Sequence, residues 1–143
     1  MASTSKKPER SPRASRKRPA RKRPVTPRLR LPPDVAIAVG AALDKKAEDV
    51  VVLDLRKASA FTDAFVICTG TNIRQVQAIA DAVEEALRQK GLTPSLVEGY
   101  ARGEWILIDY FDFIVHVFAP STREFYGLER LWGDAVHIAI PAS

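Results

Sequence analysis

EWILIDYFDFIVHVFAPSTREFYGLERLW, residues 104–132, contains two apolar runs, Trp105 to Ile108 and Phe113 to Phe118, on either side of a short turn bounded by Asp109 and Asp112. Runs of this length read as neighbouring buried strands. Pro120 ends the second strand because it has no N–H to give to a sheet ladder. Ser121, followed three residues later by Glu124, has the form of a capping box and predicts a helix from that point. Phe125, Leu128 and Trp132 recur at i, i+3 and i+7 and predict its inward face. Gly133 supplies the left-handed residue at which it is expected to stop. A hairpin that delivers an aromatic helix is the unit around which the rest must pack.

Upstream, Asp34 follows Pro32 and Pro33 and can cap a helix running to about Lys46, with Val35, Val39, Ala42 and Leu43 on one face. Gly40 inside it costs about 1 kcal/mol relative to alanine. Val50 to Leu55 and Ala64 to Thr69 are short, apolar and rich in β-branched residues, so both are predicted strands. Between them, Thr62 and Asp63 have side chains that bond readily to nearby backbone and so shape a turn. Thr69-Gly70-Thr71-Asn72 leads into a helix ending near Lys90, with Gly91 as its stop. Ile73, Val76, Ala80, Val83 and Leu87 form its apolar stripe, and Glu84 can pair with Arg88 outside. Ser95 to Glu98 is the next strand, and the strand, helix, strand succession implies a right-handed crossover between parallel strands. Val136 to Ile140 adds a final edge strand. The expected fold is a single α/β domain over residues 34–143, a mixed sheet of five or six strands with three helices.

The 143 residues include 22 Lys and Arg against 17 Asp and Glu, a net +5, but the charge is divided. Residues 1–30 hold 12 basic and one acidic residue, a net +11, whereas the remainder holds 10 basic and 16 acidic, a net −6. Residues 1–33 also carry seven of the 10 prolines, the composition of a disordered basic tail. Three roles are open for it: a solubilising charge run, a segment that grips RNA phosphates with steep salt dependence, and a mitochondrial transit peptide, which the prolines oppose. The acidic remainder suits a basic protein partner better than nucleic acid. Cys68 is the single cysteine, so no intrachain disulfide forms and a reducing, cytoplasmic setting is expected. No apolar run approaches the roughly 20 residues that span a bilayer, and the first residues lack the apolar segment of a secretion signal.

EWILIDY, FIVHVF and REFYGLERLWGDA, with FTDAFVICTGTN and VEGY upstream, agree in order and spacing with the ribosomal silencing factor family, also called the Iojap-like family. The chain resembles that family from about Val35 to Ala135. The resemblance implies a nucleotidyltransferase-like architecture without the catalytic carboxylates, and a protein with no catalytic activity and no cofactor. It implies docking on the large ribosomal subunit at ribosomal protein uL14, where the bound protein blocks joining of the small subunit and represses translation under nutrient limitation. Carried onto matching positions, Trp105, Asp109, Tyr126 and Leu128 are the expected partner contacts. Trp105, at the start of a strand, is placed to present its ring as an anchor. Asp112 and Glu124 add negative charge that would face a basic protein, favouring rate and specificity. Phe111 stands where the family often has glycine, in a turn that wants φ > 0. Either the loop is wider there or the ring extends the contact surface. The tail precedes the matched region, and contact with ribosomal RNA is one role for it. Monomer and homodimer are both compatible, since the same aromatics could pair symmetrically.

The alternative from another class is a nucleotidyltransferase-like enzyme, because a strand turning through Gly70 and Thr71 into a helix can hold a phosphate on backbone N–H groups. Such an enzyme holds its metals on two carboxylates of one strand face, at i and i+2. Asp109 and Asp112 are three apart and flank a turn. Cys68 and His116 could be drawn as nucleophile and base, but no oxyanion donor or third orienting group accompanies them. His116 shares a strand face with Ile114 and Phe118 and reads as a hydrogen-bonded core histidine. His137 has no partner at metal-ligand spacing. Binding, rather than catalysis, is the expected function.

Overall fold

The computed structural model describes residues 31–58 and 60–141, so the tail through residue 30 lies outside them. In chain order the elements are α1 (Pro33–Asp44), β1 (Glu48–Asp54), β2 (Ala64–Thr69), α2 (Ile73–Arg88), β3 (Leu96–Glu98), β4 (Trp105–Asp109), β5 (Phe113–Phe118), α3 (Pro120–Tyr126), α4 (Leu128–Leu131) and β6 (Val136–Ala139). The six strands form one mixed sheet in the order β3-β4-β5-β2-β1-β6. β2 and β5 pair in parallel at its centre, and every residue of both is buried. This is the signature of strands covered on both faces. β4 returns antiparallel to β5, with Trp105 opposite Phe118 and Asp109 opposite Ile114. Following the pairings outward, β3 points the same way as β2. The helix α2 is therefore a crossover between parallel strands, although β5 and β4 lie between the two it joins.

Side chains alternate across the sheet. On one face α1 and α2 pack through Val35, Ala38, Val39, Val76, Ile79, Ala80, Val83 and Leu87, all buried. The other face carries a second cluster of Leu53, Leu55, Phe65, Ile67, Ile114 and Phe118, closed by Leu128 of α4, with Trp105, Leu107 and Trp132 partly buried at its margin. Asn72 opens α2 by accepting from the Gln75 N–H at 2.9 Å. The helix starts differ elsewhere. Pro32 holds the cap position of α1, so Asp34 sits in the first turn instead of capping. Ile73 is exposed, and Arg88 pairs with Glu85, its neighbour three residues back, and not with Glu84.

The largest departure from expectation is the C-terminal helix. Pro120 fits the first helical position, where its missing N–H has no bond to make. Ala119 therefore takes the cap position, no side chain caps the helix, and Ser121 with Glu124 forms no capping box. The left-handed residue is Gly127, at φ 54°, whose N–H donates to the Arg123 carbonyl at 2.9 Å and ends α3. Gly133 does not have that role. The single helix is thus broken into α3 and α4, and the break turns Phe125 outward, 77% exposed, while Leu128 stays inside at 9%. Arg123 fastens the broken piece. Its guanidinium donates to the Asp49 carbonyl at 2.7 Å, to Thr69 Oγ1 at 2.8 Å and to Glu129 Oε2 at 2.7 Å, joining β1, β2, α3 and α4.

Gly40 occupies an exposed position of α1, and a Cβ built there meets nothing within 4 Å. Gly40→Ala is expected to raise stability by about 1 kcal/mol, because only the entropic cost of a helical glycine is removed. Urea unfolding measures it; a destabilised variant would show that the open space is used.

Candidate partner-binding interface

α3 and α4 are too short to cover their face of the sheet. Along β4, Trp105, Leu107 and Asp109 point to that side and are all half-buried, whereas Ile106 and Ile108 are buried beneath α2. The Trp105 ring lies 5.0 Å from Phe118 in a stacked arrangement and 4.7 Å from Tyr126, centroid to centroid. Its Nε1–H donates to Nδ1 of His116 at 3.0 Å. An indole only donates, so Nδ1 is the acceptor and the neutral imidazole carries its hydrogen on Nε2. Trp105 is therefore not the free surface ring expected of a strand start: one edge is tied inward and the rest is accessible. Tyr126 is 46% exposed beside it, and Phe125 stands edge-on to Tyr126 at 5.0 Å. Leu128, expected as a contact, belongs to the core and supports this patch from beneath.

Asp109, Phe111 and Asp112 lie at the other end of β4, roughly 14 Å away for four strand residues. Tyr110 N–H donates to the Phe113 carbonyl at 2.9 Å, so the loop is two residues, Phe111 and Asp112, and is not widened. Phe111 adopts φ 73°, the left-handed region that favours glycine, with its ring 77% exposed. A bulky residue held there costs about 1 to 2 kcal/mol. Local bonds hold it. Asp109 Oδ1 accepts from the Phe111 N–H at 2.7 Å, and the Asp112 N–H donates to the Tyr110 carbonyl at 2.9 Å. Thr62 and Asp63 contribute from the β1–β2 loop: Thr62 Oγ1 donates to the Phe111 carbonyl at 2.8 Å and the Asp63 N–H to the Asp112 carbonyl at 2.9 Å. The Phe-Thr-Asp motif thus clamps the neighbouring hairpin. Asp112 is exposed. Glu124, also exposed, lines a separate cleft of about 380 Å³ with Arg123, Glu48, Asp49 and Glu129. Leu107 bridges the two ends of β4 and escaped sequence reading, although its spacing of two from Trp105 places it on the same face.

The residues drawn into catalytic alternatives are separated or occupied. Cys68 and His116 project from opposite faces, since His116 stands level with Ile67 and Val117 with Cys68. Burial pushes the Cys68 thiol up to about 12, against a smaller downward pull from Arg123, which leaves a poor nucleophile. At the start of α2, Gln75 Oε1 accepts from both the N–H and the hydroxyl of Thr71 at 2.7 and 2.9 Å, so that part of the phosphate cradle is filled by the protein itself. His116 is 3% exposed, its Nε2 has no partner, and burial lowers its pKa to about 4.

A histidine whose pKa is depressed on folding takes up its proton more readily when unfolded. Its contribution is intact above about pH 6.5 and is lost progressively down to about 4. Between pH 7 and pH 5 the loss is about 2 kcal/mol. In urea unfolding at these two pH values, His116→Gln is expected to lose less stability than the wild type by about that amount; equal losses would show that His116 is not the group being protonated.

A family model described as ribosomal silencing factor during starvation matches residues 29–143. The ribosomal silencing factor RsfS of Halalkalibacterium halodurans is 46% identical over 99 residues, 69% of this chain and 85% of its own length. A crystal structure of a Chromobacterium violaceum protein is similar at a TM-score of 0.69 and 36% identity, over 71% of this chain and 84% of the other. A more distant protein of Mus musculus, named mitochondrial assembly of ribosomal large subunit protein 1, is 29% identical over 102 residues, 69% of this chain but only 45% of its own. On the extent of the family match and the similarity of fold, the chain belongs to the ribosomal silencing factor family.

Proposed function

We propose that this chain docks on the large ribosomal subunit at ribosomal protein uL14, excludes the small subunit by steric overlap, and so represses translation when nutrients are scarce. The observation that carries the reading is the partly exposed Trp105–Tyr126 pair on the uncovered part of the sheet, at a centroid distance of 4.7 Å. Large amphipathic rings that are fixed in place yet accessible are what interface anchors require. Leu107 continues the apolar strip toward Asp109, Phe111 and Asp112, and Glu124, on α3 but in the separate cleft, adds charge of the same sign. These carboxylates belong to a part of the chain with a net charge of −6, which suits a basic ribosomal protein and speeds encounter. Membership of a family described as silencing factors supports the repressive role, and the Mus musculus relative's name supports the large subunit as the place. The basic residues 1–30 add salt-sensitive attraction to ribosomal RNA phosphates in this reading.

Co-sedimentation of the full chain with separated subunits over a salt series tests it. Trp105→Ala and Tyr126→Ala are each expected to weaken large-subunit binding about tenfold or more. Trp105→Ala also loses packing, so the more exposed Tyr126 controls for a folding defect. Removing residues 1–30 is expected to flatten the salt dependence while leaving large-subunit preference intact. Unchanged affinity in both aromatic variants, or binding that vanishes with the tail, would sink the reading.

Phe111→Gly separates stability from binding. It is expected to raise stability by about 1 kcal/mol by relieving the left-handed strain, less the glycine's own entropic cost, and to weaken large-subunit binding severalfold. A more stable variant that binds normally would remove Phe111 from the interface.

A further inference from the structure

His116 is a buried polar side chain for which the docking surface gives no direct use. It lies on β5, diagonal to Trp105 across the hairpin, since Trp105 stands opposite Phe118 and Leu107 opposite His116. Its ring is held without freedom: Phe65 packs edge-on at 4.5 Å with an interplanar angle of 77°, and Phe118 lies nearly parallel at 6.1 Å and 11°. Trp105 is in the opposite situation. It begins β4, directly after the Gly99–Glu104 connection, and is only half-buried. A leucine in place of His116 would pack into the same apolar cluster but would offer the indole no acceptor.

We infer that His116 is the positioning residue of the interface: by accepting the Trp105 indole N–H on Nδ1 at 3.0 Å, it fixes the ring against Phe118 and Tyr126 before a partner arrives. This rests on the reading of Trp105 as an anchor. Immobilising a large side chain during association weakens affinity, and a ring that is already ordered escapes that loss. His116 touches no partner itself; its effect passes wholly through Trp105.

The test is a double-mutant cycle in the full chain, read by affinity for purified large ribosomal subunits and by NMR exchange of the Trp105 indole N–H. His116→Leu is expected to weaken binding about three- to tenfold and to expose the indole N–H to exchange, and His116→Gln, which retains an acceptor, is expected to recover part of both. In a Trp105→Phe background, which has no N–H to position, His116→Leu is expected to have little further effect. Equal losses from His116→Leu in the two backgrounds would overturn the inference, as would wild-type affinity in His116→Leu while Trp105→Ala binds weakly. If Trp105→Ala binds normally, Trp105 is not an anchor and the inference fails with it, while the docking reading then turns on Tyr126→Ala. Should His116→Leu not fold, the wild-type protein decides, because an indole N–H that exchanges freely excludes a positioning bond.

Discussion

The parallel pairing of β2 with β5, buried residue for residue, is the constraint on which the rest depends. A strand pair that is apolar on both faces requires cover on both sides of the sheet. The long helices α1 and α2 provide it on one side with complete burial of their inward residues. On the other side the only helical cover among the described residues is α3 and α4, 11 residues in two pieces. The deficit is made up by aromatic rings packed over the sheet, Trp105 stacked on Phe118 and Trp132 edge-on to Phe65, and the outermost of these remain half-exposed. The candidate interface is therefore a consequence of incomplete cover, with its anchors already packed on one side.

Arg123 makes the short cover stable enough to define a surface. Two fragments of seven and four residues have no independent helical stability. A guanidinium with 12% of its side chain exposed, bonded to two strands and to Glu129, substitutes for the missing length. Burial works to raise the Glu129 carboxyl, but the hydrogen bond and charge of Arg123 prevail and hold it below its ordinary value. Removing the arginine would leave a half-buried carboxylate unpaired as well as releasing α3 from β1, so the two halves of the C-terminal segment depend on a single side chain.

Strands were the legible part of the sequence. Ala64–Thr69 and Phe113–Phe118 coincide with the predicted runs because continuous β-branched and apolar residues leave little other choice. The crossover and the edge strand near the C-terminus followed from topology and length. The broken helix was not legible. Ser121 and Glu124 have the spacing of a capping box, and nothing local reveals that Pro120 would begin the helix one residue earlier or that Gly127 would adopt the left-handed conformation. That choice is made by tertiary contacts, Leu128 dropping into the core and Arg123 reaching β1 and β2. The bond between Trp105 and His116 was hidden for a related reason. It joins diagonal positions of neighbouring strands, and the register that makes them diagonal is set by a turn whose length the sequence left open. The positive φ of Phe111 was legible only as one of two outcomes, because a two-residue hairpin demands it but a wider loop was equally open.

Two local costs lie beside β4. On β5, opposite the middle of β4, the Nε2 of His116 is buried without a partner, and in the turn after β4 Phe111 holds a left-handed conformation with its ring in solvent. Neither is required by the fold: an apolar residue would fill the His116 site without an orphan N–H, and glycine would close the turn without strain. Each cost has a local product. The histidine orders the Trp105 indole, and the strained turn projects an aromatic ring beside two aspartates. Strain and unsatisfied polar groups persist only where the surroundings over-determine them, and here Phe65 and Phe118 fix the imidazole while Thr62 and Asp63 clamp the turn. That both costs lie beside one half-buried strand, and that both yield an ordered aromatic surface, ties the local energetics of this domain to binding.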